Sequence, residues 1–258
     1  MTAYSAAGVA SLVVNGVSVE FGSHKTLSDV TFTVEHGTLM GVVGPNGAGK
    51  STLFNSIAGL QPLKAGTVTI VGSRMRSNGA LAYVPQRESV NWRFPVTVFD
   101  VAMMGRTFDL SWFRRPGGPD REIVRDCLER VGLWDLRSKL MTELSGGERQ
   151  RAFVARALVQ GADVLMLDEA FSGVDVSAQE GLVEVLLSLR DEGKIILLAT
   201  HDLTNLADRF DQVLCLNCHV CACGPPAETF TPQVLEELYG AHGIHFAKSG
   251  EEIEEPEA

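Results

Sequence analysis

The run Gly44-Pro45-Asn46-Gly47-Ala48-Gly49-Lys50-Ser51 restricts this chain more than any other stretch. It follows the apolar segment Leu39-Met40-Gly41-Val42-Val43 and precedes Thr52-Leu53-Phe54-Asn55-Ser56-Ile57-Ala58, so it reads as a tight loop between a strand and a helix. The three glycines let the backbone turn sharply with its N–H groups directed inward, and the helix behind the loop adds the positive end of its dipole. Such a loop is a cradle for phosphate. In the pattern G-x-x-x-x-G-K-[ST], Lys50 reaches the outer phosphates of a nucleotide and the Ser51 hydroxyl serves Mg²⁺.

Length limits what can be built around that loop. At 258 residues the chain has room for one large α/β domain, or one domain with an inserted subdomain, but not for two nucleotide-binding domains. A net charge of −10 and a pI near 5.1 argue against a nucleic acid as the main partner. No run of about 18 apolar residues occurs, and Met1-Thr2-Ala3-Tyr4-Ser5-Ala6-Ala7 lacks the basic start and apolar core of a signal peptide. A soluble chain at the cytoplasmic side is expected. Five cysteines, an odd number, then point to thiols rather than cross-links.

Loose alternation over Leu12 to Val19 and Val30 to Val34, with turns at Asn15-Gly16 and Phe21-Gly22-Ser23, predicts a small antiparallel sheet ahead of the loop. Gly59 closes the loop helix, and short strands are expected over Gly66 to Gly72 and Ala80 to Pro85, the second delivering Gln86. From about Thr97 to Ser145 the spacing becomes helical, broken by Arg114-Arg115-Pro116-Gly117-Gly118-Pro119, which predicts a helical insertion in the α/β core. The core resumes with a helix from about Gly146 to Val159 and the apolar run Val164-Leu165-Met166-Leu167-Asp168, suited to a buried parallel strand. A capping box at Ser177-Ala178-Gln179-Glu180 opens the next helix, and the strand Lys194 to Thr200 ends at His201. A hairpin around Asn217 and a helix capped by Thr231 follow, then an acidic tail, Glu251 to Glu257.

Asp168 at the end of its strand can hold the Mg²⁺ shell through water, and Glu169 beside it can face the space beyond the terminal phosphate as general base. Leu144-Ser145-Gly146-Gly147-Glu148-Arg149-Gln150-Arg151 is a second anion cradle, a capping serine and two glycines at a helix start. One cradle per nucleotide would suffice in a monomer.

This order of motifs resembles the ATP-binding subunits of ABC transporters, from about Leu12 to Phe246. The resemblance implies a phosphate-loop ATPase core with a small antiparallel β subdomain and a helical subdomain at about 92–145, the whole domain spanning 11–246 and the tail 247–258. It implies a head-to-tail dimer of two copies, in which Ser145, Gly146, Gly147 and Glu148 of one copy complete the site around ATP held by Gly44 to Thr52 of the other. On the same ground Phe21 stacks on adenine, Gln86 reaches Mg²⁺ and the attacking water, Asp175 couples the two sites, and His201 contacts the γ-phosphate. Two positions depart from the family pattern. Glu148 stands where glutamine is commonest, and Ala170 where proline usually follows the catalytic acid.

The stretch from Arg87 to Arg106, with Phe171-Ser172-Gly173-Val174-Asp175, is similar to the ATPases of manganese, zinc and iron importers that work with a metal-binding lipoprotein. Trp92, Phe94 and Pro95 would form part of an apolar groove for a helix of a membrane permease. The chain is thus expected to be the ATP-hydrolysing motor of a divalent-metal importer, attached peripherally to the inner face of the cell membrane. A transporter of another solute, or a soluble ABC ATPase, is the alternative. Cys215, Cys218, Cys221 and Cys223 crowd one hairpin, but alternating strand side chains keep all four from converging on one metal ion.

Overall fold

The computed structural model describes residues 11–22, 24–72, 79–85, 95–108, 116–169, 176–200 and 209–240. In chain order these form β1 (Ser11–Phe21), β2 (His24–Glu35), β3 (Thr38–Val43), α1 (Lys50–Ile57), β4 (Ala65–Val71), β5 (Leu81–Val84), α2 (Val98–Met103), α3 (Gly118–Arg130), α4 (Gly146–Gln160), β6 (Val164–Asp168), α5 (Val176–Asp191), β7 (Ile195–Thr200), β8 (Gln212–Leu216), β9 (Val220–Gly224), α6 (Pro226–Thr229) and α7 (Pro232–Tyr239). The expected small antiparallel sheet has the order β2-β1-β4, and a six-stranded sheet has the order β5-β6-β7-β3-β8-β9. In the larger sheet β3 runs parallel to both β7 and β8, and only the edge strand β9 is antiparallel.

Parallel strands covered on both faces carry apolar side chains at every position. Every residue of β3, β6 and β7 is buried accordingly. Alternation divides them: Leu39, Val43, Leu165, Leu167, Ile196 and Leu198 join a core with α2, α3, α4 and α5. Met40, Val42, Val164, Met166, Ile195 and Leu197 face α1 and the three-stranded sheet. The sheet therefore has a helical side and a phosphate-loop side, and the loop leaves its central strand.

Between β5 and α4 the described residues are largely helical, as the spacing predicts, and a bridge links Thr97 to Leu140. Thr97 and Asp100 form a capping box at the start of α2. Two readings differ from expectation. Asn15-Gly16 is not a turn: β1 runs through it, and Gly16, with φ of 63°, marks a shift of register between Val14 and Val17 that leaves the strand unbroken. The backbone is already helical at Val176, so Ser177 stands in the first turn of α5 and the cap position falls outside the described residues. The acidic tail, His242 and His245 also lie outside them.

Candidate nucleotide site

The phosphate loop is shaped by three close approaches. Gly47 and Gly49 have φ of 85° and 94°, in the left-handed region open to glycine. A Cβ on Gly49 would meet Leu27 Cδ2 at 2.7 Å and the Thr26 carbonyl at 3.0 Å, and one on Gly44 would lie 2.1 Å from the Leu216 carbonyl. Larger residues at 44 and 49 would push the loop off β2 and β8. At Gly47 a Cβ would meet nothing within 4 Å, so there the backbone faces open space. The first intrahelical bond of α1 runs from the Leu53 N–H to the Gly49 carbonyl, 2.8 Å. The N–H groups of Lys50, Ser51 and Thr52 ahead of it have no helical acceptor and face an incoming anion.

Lys50 is only 6% exposed. Its Nζ donates to the Gly44 carbonyl at 2.7 Å and the Pro45 carbonyl at 3.0 Å, leaving one of its three hydrogens for a phosphate. Burial pushes its pKa down, while the Glu169 and Asp168 carboxylates pull it up. The three side chains thus share one field.

Asp168 closes β6 and is 2% exposed. Its Oδ2 accepts from the Tyr83 hydroxyl at 3.2 Å, while Oδ1 is buried without a hydrogen-bond partner among the described residues. Burial pushes this carboxyl above its ordinary pKa, against the Ser51 and Tyr83 hydroxyls beside it. An orphaned carboxylate oxygen near a serine hydroxyl and the phosphate loop suits a hard, hydrated cation. Mg²⁺ fits this donor set. Tyr83 had no place in the sequence reading, because its hydroxyl meets Asp168 only once β5 and β6 pair.

Glu169 follows with φ of 49°, a left-handed backbone that costs a non-glycine residue about 1–2 kcal/mol. Its N–H donates to the Ala199 carbonyl at 3.1 Å, the last bond of the β6–β7 ladder, and its side chain is half-buried. The strained residue is also the one the sequence marks as general base.

The second cradle caps α4. The Ser145 Oγ accepts from the Glu148 N–H at 3.3 Å, and Glu148 Oε2 accepts from the Ser145 N–H at 2.7 Å. This reciprocal box explains the departure at 148: the carboxylate turns back onto the helix start, and the Ser145 N–H holds its pKa down. The spacing S-x-x-E already carried that signal. Glu148→Gln keeps an acceptor and is expected to retain parental stability, whereas Glu148→Ala loses the bond and about 0.5 kcal/mol, the low end for an exposed hydrogen bond. Thermal unfolding of the two variants checks this.

Farther along α4, Arg156 donates to the Tyr83 carbonyl at 2.9 Å and Gln160 to the Leu81 carbonyl at 2.7 Å. The helix therefore runs against the direction of β5. Ser145 lies three turns before Arg156, roughly 16 Å of helix past the level of Tyr83.

Phe21 ends β1, paired with His24, and is 52% exposed. The turn of the hairpin expected around Asn217 supports the loop, a contact the sequence did not reveal. Between β8 and β9, the Cys218 N–H donates to the Ala48 carbonyl at 2.9 Å and its carbonyl accepts from the Ser28 N–H at 2.7 Å. Gln86, Ala170, Asp175 and His201 lie outside the described residues.

A glycine loop with a buried lysine, joined at the end of β6 by a paired acid and a strained glutamate, defines a phosphate-loop nucleotide hydrolase. Comparison narrows the class. Residues 27–172 match the family described as ABC transporter. The chain is 46% identical over 231 residues to the manganese transport system ATP-binding protein MntA of Synechocystis sp., covering 88% of this chain and 89% of that one. It is 41% identical over 228 residues to the zinc transport system ATP-binding protein TroB of Treponema pallidum, covering 88% and 86%. The crystal structure of the ADP conformation of an ATP-binding cassette of an ABC transporter superposes with a TM-score of 0.77 at 23% identity, covering 91% of this chain and all of that one, a likeness of fold. The chain belongs to the ABC transporter family, as one of its ATP-binding, ATP-hydrolysing subunits.

Proposed function

We propose that this chain is the motor of an importer for a divalent transition metal, working as a head-to-tail pair on a separate membrane permease. The observation that carries the cargo class is the similarity, along nearly the whole chain, to ATP-binding proteins named for manganese and zinc transport. The reach of α4 supports the dimer: its capped Ser145 stands roughly 16 Å of helix past the level of Tyr83, at a helix start suited to an anion held elsewhere. In this reading Gly44 to Thr52 hold the phosphates, Phe21 stacks on adenine, and Ser145 with Gly147 meet the γ-phosphate from the second copy. Glu169 takes the proton of the attacking water, with Gln86, Asp175 and His201 in the roles their motifs assign. Mg²⁺, held by Ser51 and, through water, by Asp168 and Gln86, neutralises charge on the outer phosphates. ATP that touches both copies favours only their closed arrangement, and this difference in binding drives the permease.

The domain spans 11–246 in this reading, with 92–145 as its inserted helical unit. A groove of about 1130 Å³ runs between the end of α1, β4 and the turn after α2, bordered by Leu60, 68% exposed, and Met104. Its size would suit a permease helix; of the residues expected to form such a groove, Pro95 is exposed, and Trp92 and Phe94 lie outside the described residues. Among the described residues no helix is long and apolar enough to cross a membrane, which agrees with peripheral attachment at the inner face.

Affinity purification of the tagged chain from gently solubilised native membranes tests the reading by mass spectrometry of what accompanies it. A polytopic permease together with a metal-binding lipoprotein is expected. A permease with a receptor for another solute would replace the cargo, and ribosomal or scaffold proteins without any permease would replace the machine.

A further inference from the structure

The hairpin and α7 meet in a cluster that ATP chemistry does not use. His219 Nε2 lies 2.8 Å from Glu237 Oε1 and 3.9 Å from Cys221 Sγ. Ligand atoms of all three lie within 4.8 Å of one another, with His219 and Glu237 exposed and Cys221 partly buried. The four cysteines do not converge: Cys215 is buried in the core on the helical side of the sheet, and Cys221 instead faces a histidine at the turn and a carboxylate on α7.

We propose that His219, Cys221 and Glu237 form a regulatory site for a zinc-class divalent cation that links α7 to the turn supporting the phosphate loop. One nitrogen, one sulfur and one oxygen suit a borderline cation such as Zn²⁺ better than Mn²⁺ or Mg²⁺, and three protein ligands leave the fourth tetrahedral position to water. Tetrahedral Zn²⁺ sets its ligand atoms about 3.3–3.8 Å apart. The 2.8 Å pair must open and the 3.9 Å pair close slightly, within reach of rotations on an exposed turn. Two further bonds make the movement consequential. Asn217 Nδ2 donates to the Glu237 carbonyl at 3.3 Å, and Cys218, next to His219, has φ of 60° and donates to the Ala48 carbonyl. A cation that draws the turn toward α7 pulls on the floor of the phosphate loop, so metal weakens ATP binding and, by linkage, ATP weakens metal binding. The site is a property of this chain whatever cargo the permease carries.

The test uses the purified full chain, stripped of metal and titrated with Zn²⁺ against a chromophoric chelator. One Zn²⁺ per chain is expected. Cys221→Ser and His219→Gln should each weaken it by more than the ~10–100-fold lost when an outer partner of a metal ligand is removed. Both positions lie outside the nucleotide site, so both variants should bind ATP in the absence of Zn²⁺ as the parent does. Co²⁺ should give a thiolate charge-transfer band that Cys221→Ser lacks. Absence of stoichiometric Zn²⁺, or binding undiminished in both variants, overturns the site. Saturating Zn²⁺ should weaken ATP affinity at least about fivefold in the parent and not in the variants. Unchanged or tighter ATP binding overturns the coupling.

Discussion

Glu169→Gln is expected to slow ATP turnover by about 10²–10³-fold while leaving ATP affinity near the parental value, and to yield a stable ATP-bound dimer on gel filtration. Glutamine matches glutamate in size and needs the same left-handed backbone, so the bond from residue 169 to the Ala199 carbonyl is retained. What is lost is the ability to accept a proton. Removal of a negative charge from the field around Lys50 also favours the incoming phosphates, so binding does not fall with rate. The two quantities are measured separately, by phosphate release and by equilibrium nucleotide titration. A variant that hydrolyses ATP at the parental rate would remove Glu169 from its role.

Lys50→Ala acts on binding itself. A hydrogen bond from an ammonium to phosphate contributes about 1.5–3 kcal/mol, so ATP affinity should fall about 10- to 100-fold. The Gly44 and Pro45 carbonyls lose their donor as well, and the loop that presents the N–H groups loosens with them. Lys50→Arg is not expected to restore affinity, because a planar guanidinium cannot occupy a site that is only 6% exposed and meet both carbonyls. Calorimetric titration with ATP reads both variants, and circular dichroism checks that the fold persists. Undiminished affinity in Lys50→Ala would mean that this loop does not hold the nucleotide.

Local chemistry made much of this legible in the sequence. Val164 to Leu167 is a four-residue apolar run closed by Asp168, and the strand has those limits because a doubly covered parallel strand leaves no polar position within it to blur its ends. Thr231 followed by Pro232 sets the start of α7 for an equally local reason: the threonine hydroxyl accepts from Val234 and proline gives up no needed N–H. Glycines 44, 47 and 49 announce the loop because side chains are excluded by tight contacts at 44 and 49 and by positive φ at 47 and 49. Partnerships across the sheet were not legible. Tyr83 reaches Asp168, and Cys218 reaches Ala48, only through strand order, and nothing near either residue in the chain encodes the partner. His219, Cys221 and Glu237 show the same limit. The hairpin's cysteines drew attention to one another, while the third member of the cluster came from a helix.

The central position of β3 has a consequence for biosynthesis. Its Leu39 N–H donates to an Asp211 carboxylate oxygen 172 residues farther on, at 2.8 Å, and its flanking strands are β7 and β8. The segment that cradles phosphate is therefore translated early and completed late. At roughly 5–20 residues per second a ribosome needs about 10–35 s to supply the missing neighbours. During that interval β3 is an apolar strand with both edges unpaired, and ATP in the surrounding solution has no finished loop to bind or to stabilise. Nascent chains of this protein thus depend on shielding of β3 through most of synthesis, and nucleotide can act as a folding ligand only after β8 has emerged.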